Sequence, residues 1–355
     1  VTFEFATATR IVFGAGKAGE AAAAARSMGR RPLLVGSPRW WHLLPGEVVR
    51  LESRGEPTVD VARAGAALAR QEGCDVVVAI GGGSAIDTGK AIAALAANPG
   101  DVLDYLEVIG AGKPIEHRPL PFIAVPTTSG TGAEVTRNAV LGSPGDGVKA
   151  SLRSPLMLPA LAIVDPELTR SLPREVAAYT GMDALTQLIE PLVSVRANTM
   201  SDMAARQGLA LAVPAIRTLD PEAMAQASLL SGMALANSGL GAVHGFAAAI
   251  GGMFSQAPHG AICAALLAPV MRANIEALRT RDPEGPALRK YAEAPPPSWV
   301  EETMRLLGVK PLIYYGVDLV RADDIVLRAI QTSSLKGNPI ALSAQELKTA
   351  LLAGG

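Results

Sequence analysis

Cysteine is nearly absent: this 355-residue chain has two, Cys74 and Cys263, far apart in sequence. A disulfide framework is excluded, no signal peptide is in view, and a reducing cytoplasm is the expected compartment. Net charge is almost absent as well. Lys and Arg number 32 against 33 Asp and Glu, a balance of −1, so there is no electrostatic footprint for nucleic acid or a membrane surface. Long apolar runs are missing; Pro, Gly or a charge breaks each before it reaches membrane-spanning length. Aromatic residues make up only 4%, which leaves alanine, leucine and glycine to build the core. With 49% hydrophobic and 18% charged residues, the composition is that of a compact protein, long enough for two domains. The first residue is Val rather than Met, so the natural start is expected upstream.

What is present centres on Ile80-Gly81-Gly82-Gly83-Ser84-Ala85-Ile86-Asp87-Thr88-Gly89-Lys90. The preceding run Asp75 to Ile80 is apolar and β-branched, which predicts a strand buried on both faces. The following run Ala85 to Ala97 is alanine-rich, which predicts a helix. Strand, glycines, serine, helix is a backbone suited to an anion. The glycines permit close approach, and the first-turn N–H groups and helix dipole face negative charge. A phosphate or pyrophosphate is the expected guest. A P-loop is excluded twice: Ser84 stands at its first glycine position, and Ala91 where Ser or Thr must hold magnesium. A second glycine pattern, Gly14-Ala15-Gly16-Lys17-Ala18-Gly19, follows a short strand-like Arg10 to Phe13. No acidic residue ends the next strand, so it reads as a tight turn into a helix over Lys17 to Met28.

Residues 10–165 alternate strand and helix signals. Pro32 to Val35 and Pro121 to Val125 are strands, and Val61 to Gln71 is a helix. This rhythm predicts a mostly parallel sheet with helices on both faces and a ligand at the strands' carboxyl ends. The strand ending at Val125 runs into Pro126-Thr127-Thr128-Ser129-Gly130-Thr131, with four hydroxyls within five positions, suited to a phosphate, ribose or amide. Asn138 to Leu141 and Val148 to Leu152 read as a hairpin carrying Lys149. Beyond Leu161 to Pro166 the strand signals mostly stop. The stretches 174–193, 199–217, 221–238 and 260–278 read as helices, so an all-helical domain follows a boundary near 165–170.

Of four histidines, His244 and His259 lie 15 residues apart in that helical half, and Asp183 sits upstream in the apolar run Gly181-Met182-Asp183-Ala184-Leu185. A core aspartate needs a partner. One aspartate and two histidines suit zinc or ferrous iron; satisfied core histidines with a capping aspartate are the other reading.

Four motifs now stand in order: Gly-Gly-Gly-Ser-x-x-Asp-x-x-Lys, Pro-Thr-Thr-x-Gly-Thr-x-x-Glu, Gly-Met-Asp-Ala-Leu-Thr, and His followed by Pro-His-Gly. Together the chain resembles the iron-containing (group III) alcohol dehydrogenase family, which takes in maleylacetate reductases and has a zinc-using relative in glycerol dehydrogenase. The resemblance spans about residues 1–278 and continues more weakly to Pro339. It implies an α/β Rossmann-like dinucleotide-binding domain (1–166), an all-α metal and substrate domain (167–355) and a cleft between them. It implies that Gly82, Gly83 and Ser84 hold the pyrophosphate, that Asp87 helps anchor the cofactor, and that Thr127, Thr128 and Thr131 line the nicotinamide side. Asn138 and Lys149 match other cofactor-contacting positions, and Asp183, His244 and His259 match metal ligands and so the catalytic centre. A homodimer is implied too.

The departures are specific. Where the iron enzymes carry His four residues after the aspartate, this chain has Gln187, which on the same helix face still points at the site and is counted with the metal residues, though as a weaker donor. Four residues after His244, where many relatives carry a proton-relaying histidine, stands Ala248. Segments near 40–57, 217–222 and 290–300 look short. The second strand ends in Gly36-Ser37-Pro38-Arg39 without an acidic residue. Ser37 and Arg39 there lean the expectation to NADP over NAD.

The expected function is a metal-dependent NAD(P)-linked oxidoreductase, with Fe2+ or Zn2+, acting on a small alcohol, aldehyde or ketone. One alternative is a dehydroquinate synthase-like sugar-phosphate enzyme, against which the low charge of the helical half argues. The other is a nucleotide-binding protein whose metal site has degenerated through Gln187 and Ala248.

Overall fold

The computed structural model describes residues 2–355, which divide into two compact units. The α/β unit holds Thr7–Thr128 and Gly132–Ser171. The helical unit holds Leu172–Gly355 with Ser129–Thr131 and the N-terminal residues up to Ala6.

The α/β unit is built on β1 (Ile11–Phe13), β2 (Pro32–Gly36), β3 (Val49–Glu52), β4 (Val76–Gly81), β5 (Phe122–Pro126), the hairpin strands β6 (Asn138–Ser143) and β7 (Val148–Arg153), and β8 (Leu161–Val164). Six of them form one parallel sheet in the order β1-β8-β5-β4-β2-β3, while β6 and β7 pair antiparallel. Both faces of β4 are apolar because both are covered. Val76, Val78 and Ile80 pack with Ala21, Ala22 and Ala25 of the helix Ala21–Met28. Val77 and Ala79 pack with Ile86, Ile92 and Ala93 of the helix Gly83–Ala97. From β2 the chain moves outward to β3; from β4 it moves the other way to β5. That reversal puts the carboxyl ends of β2 and β4 at the switch point, where open α/β sheets bind ligands.

Helix Gly83–Ala97 lies very close to its sheet. A Cβ at Gly89 would come within 2.8 Å of Ala79 Cβ and 2.9 Å of Phe122 Cε2, both on the sheet below. Gly89→Val is therefore expected to lower stability by about 1–3 kcal/mol through overpacking. Thermal unfolding against wild type checks it; an unchanged midpoint would show that the helix can lift away freely.

The helical unit contains Arg174–Val193, Thr199–Ala215, Pro221–Ser238, Ala242–Met253 and His259–Arg281, followed by shorter helices to Ala344–Leu352. The 23-residue helix His259–Arg281 corrects one expectation. By length and composition it could cross a membrane, and Pro269 does not interrupt it. Yet 78% of its most apolar window is buried, and Ile262, Leu266, Leu267 and Val270 belong to the unit's core. Its apolarity is that of a central core helix.

Candidate functional site

At the end of β4 the chain makes the expected turn. Gly82 precedes helix Gly83–Ala97, which begins two residues earlier than the alanine-rich run suggests. The first bond of that helix runs from Ile86 N–H to Gly82 C=O, 3.1 Å. Helix geometry leaves the N–H groups of Gly83, Ser84 and Ala85 without an intrahelical acceptor. A Cβ on Gly81 would lie 2.5 Å from Ala85 Cβ, and one on Gly82 3.2 Å from Thr128 Cγ2. Glycine thus keeps a shallow cradle open over three free-facing donors, the arrangement an anionic phosphate fits. Thr127 is buried beside it and donates its N–H to Gly81 C=O at 2.9 Å. Thr128 belongs to the same unit, whereas Ser129–Thr131 belong to the helical unit, where Gly130 abuts Thr180.

The remaining cofactor candidates are engaged locally. Asp87 Oδ2 accepts from Val140 N–H at 3.0 Å, which ties the helix to β6. Burial pushes its carboxyl above the usual range in spite of Lys90 nearby. Lys149 Nζ pairs with Glu56 at 2.8 Å. Asn138 offers its carbonyl to Lys90 Nζ at 2.7 Å. Ser37 caps the short 3-10 turn Pro38–Leu43 at the carboxyl end of β2, and the Arg39 guanidinium stacks over Trp40. Beside Gly36 in register stands Glu52 of β3, which receives two bonds from Arg54 at 2.7 and 3.0 Å. This acidic residue comes from a four-residue edge strand with alternate exposed positions, a pattern too short to read in advance.

Deep under the turn, Lys90 is 1% exposed and donates to Ala133 C=O, Thr136 Oγ1 and Asn138 C=O at 2.8, 2.9 and 2.7 Å. Burial draws its pKa down while Asp87 and Glu134 oppose. Glu134 is 2% exposed, and burial pushes its carboxyl up to about 7 from 4.5, with its own backbone N–H and Lys90 opposing. A raised folded-state pKa means that the fold prefers the protonated acid. Stability is therefore lost as pH rises from the unfolded value through about 7 and stays lost above it. Glu134→Gln is expected to gain roughly 3 kcal/mol over wild type at about pH 8 and nothing at about pH 4. Urea unfolding at the two pH values checks it; an equal gain at both would remove the titration from the explanation.

In the helical unit the predicted ligands do converge. Asp183 lies mid-helix in Arg174–Val193, His244 in the first turn of Ala242–Met253, and His259 opens His259–Arg281. His244 Nε2 is 3.2 Å from Asp183 Oδ1, and His259 Nε2 is 3.8 Å from the same oxygen. Asp183 and His244 are buried; His259, with 35% of its side chain exposed, is the member that meets solvent. Burial works against the Asp183 carboxylate, but His259 and His244 outweigh it and hold its pKa below the usual range. Burial also opposes the His244 cation, while the Cys263 sulfur and the carboxylates of Asp183 and Glu190 favour it and raise its pKa. Glu190 Oε2 takes His244 Nδ1 at 2.7 Å, and its Oε1 accepts Val243 N–H at 2.7 Å. A proton on Nδ1 leaves the Nε2 lone pair facing the cluster, the orientation a metal-binding imidazole needs. Gln187 is buried on the same helix, its Oε1 3.0 Å from Ser231 Oγ. Ala248 is one helical turn past His244 and carries no proton-relaying group.

Two residues of this centre are not among those expected. Glu190 carried no visible signal beyond lying seven residues after Asp183. Cys263 carried one: it stands four residues after His259, on the same face of a helix. Its Sγ is 3.7 Å from His259 Nε2 and 3.9 Å from His244 Nε2. The ligand atoms of Asp183, His244, His259 and Cys263 all lie within 4.8 Å of one another. A carboxylate, two imidazoles and a thiol at that spacing fit a divalent transition metal.

Comparison with known proteins agrees. The model of the iron-containing alcohol dehydrogenase family matches residues 8–166, and that of the family's C-terminal domain matches residues 177–353. The chain belongs to the iron-containing alcohol dehydrogenase family. Among its relatives, choline dehydrogenase of Bacillus subtilis (strain 168) is 39% identical over 226 residues, 61% of this chain and 56% of that protein. The chain thus spans little more than half the length of the curated relatives it matches at this level. 4-Hydroxybutyrate dehydrogenase of Cupriavidus necator is 35% identical over 84% of the chain and 83% of its own length. The solved sulfoacetaldehyde reductase of Bifidobacterium kashiwanohense, in complex with NAD+, superposes with a TM-score of 0.85 at 28% identity, covering 99% of this chain and 98% of the other. Family membership accounts for a parallel-sheet unit followed by an all-helical one.

Proposed function

We propose that this iron-containing alcohol dehydrogenase family member is a metal-dependent, NAD(P)-linked oxidoreductase that interconverts a small alcohol with its aldehyde or ketone. The observation that carries the reading is the convergence of Asp183, His244 and His259 on one point of the helical unit. In this reading those three residues hold Fe2+ or Zn2+. A bound cation supplies Lewis-acid polarisation of the substrate oxygen, and a nicotinamide nucleotide supplies the hydride chemistry. The chain's own part is positioning. Gly82 keeps the cradle open, Gly83 and Ser84 present N–H donors to the pyrophosphate, and Thr127, Thr128 and Thr131 offer hydroxyls toward the nicotinamide side. Asp87 and Asn138 fix the cofactor helix against the hairpin, and Lys149 reaches the nucleotide by releasing Glu56. Glu190 holds the His244 ring in place through Nδ1. His259, the partly exposed ligand, marks the side from which substrate arrives.

Ser37 and Arg39 support NADP as the preferred nucleotide, and Glu52, in register with Gly36, is paired with Arg54. Arg39→Ala should then raise the KM for NADP and leave that for NAD unchanged. The homodimer belongs to the same reading and is checked by sedimentation.

Elemental analysis of protein purified without chelators tests the centre. Near-stoichiometric zinc or iron is expected, lost together with turnover in His259→Ala, while NAD(P)H binding followed by fluorescence persists. A metal-free wild type that still binds the nucleotide would favour the non-catalytic alternative instead.

A further inference from the structure

We propose that Cys263 is a fourth metal donor in this chain, completing an Asp183–His244–His259–Cys263 set that favours zinc over ferrous iron. The inference rests on the metal reading above and assigns it a ligand which that reading does not contain. Three observations support it. First, Cys263 is fully buried, and its sulfur stands 3.7 and 3.9 Å from the two imidazole nitrogens that face the cluster. Second, the side chain at the position expected to supply a further donor is engaged elsewhere: Gln187 Oε1 is 3.0 Å from Ser231 Oγ, and an amide oxygen is in any case a weak partner for these metals. Third, the His259–Cys263 spacing puts both donors on one face of a rigid core helix, so their separation is set by the helix and not by a loop.

A cation bound beside Cys263 would deprotonate its thiol on coordination. Thiolate is a soft donor, and replacing an imidazole by thiolate moves selectivity toward zinc. Zinc has no electronic preference of geometry and can expand to five donors, so with four protein ligands a substrate oxygen would have to enter as a fifth. The contrary reading makes Cys263 a small buried side chain with no part in binding.

Cobalt(II) substitution of the full chain separates the two. Wild type is expected to show the near-ultraviolet thiolate-to-cobalt charge-transfer band. Cys263→Ser should bind cobalt and lose that band, and Cys74→Ser should keep it. X-ray absorption of the zinc-loaded wild type should show sulfur at about 2.3 Å, which decides the matter even if the serine variant does not fold. From an equal mixture of zinc and ferrous ions, the zinc-to-iron ratio bound should fall in Cys263→Ser. Bound metal with no sulfur neighbour, or a band surviving in Cys263→Ser, overturns the Cys263 assignment and leaves the metal reading standing. A wild type that binds neither cobalt nor zinc overturns both.

Discussion

Asp183→Ala is expected to strip the metal from the protein and lower kcat/KM by roughly a thousand-fold, the rate equivalent of about 4 kcal/mol of lost transition-state stabilisation. Asp183 is the only carboxylate in the group of four ligand atoms, and the two His Nε2 atoms approach the same oxygen, Oδ1. Without it, a dication would be held by two neutral rings and the sulfur of Cys263. The site would lose its carboxylate charge in a buried setting, where a charge needs a partner. Asp183→Asn keeps the shape and removes only the charge, so it should behave nearly as badly as alanine. Metal content, turnover and nucleotide binding should be read together. Loss of the first two with the third intact is the expected pattern. Turnover within ten-fold of wild type would mean that the reaction does not depend on this centre.

The uneven legibility of the chain has physical causes. The glycine turn was readable because a both-face-buried strand and an alanine-rich helix leave local patterns of their own on either side of it. The hairpin was readable from its turn residues, and its strands run one or two residues further than the expected Asn138 to Leu141 and Val148 to Leu152. The edge strand Val49–Glu52 was not readable, because four residues of mixed polarity give no period. The helix Ala242–Met253 was lost among glycines and alanines that look like loop but pack tightly: Gly241 lets Glu190 come within 2.9 Å of where a Cβ would be. Asp183, His244 and His259 were found because an aspartate and histidines stand out in apolar sequence. Cys263 and Glu190 do not stand out. A buried cysteine in a core helix is ordinary, and only tertiary distance shows which atoms its sulfur faces. Lys90 was visible as the last residue of a motif, but its burial was not, since lysine is usually at the surface.

That burial makes Lys90→Met the substitution with the largest expected effect on stability, a loss of about 3–5 kcal/mol by the reasoning for a buried charge pair broken from one side. Lys90 is among the largest fully buried side chains. Its three ammonium protons meet three acceptors, two of them the carbonyls of Ala133 and Asn138. Methionine fills nearly the same volume, so cavity formation is not the source of the cost. What remains is two buried carbonyls, of Ala133 and Asn138, that each lose the ammonium donor, and an Asp87 carboxyl without the cation 3.8 Å away. Thr136 relieves part of this, because its hydroxyl already lies 3.2 Å from Ala133 C=O. The consequence reaches the site. Lys90 joins the helix that begins at Gly83 to the segment 133–138 that follows the hydroxyl-rich loop, so the anion cradle should loosen as well. NAD(P)H affinity should fall in Lys90→Met, although the residue lies beneath the turn and its three bonds all go to the chain itself. Lys90→Ala, which adds a cavity to the same loss, should be worse in both respects. A change below about 1 kcal/mol in Lys90→Met, the scale of a single ordinary hydrogen bond, would mean that water enters and satisfies the carbonyls, and that the lysine is a filler of space more than a tie.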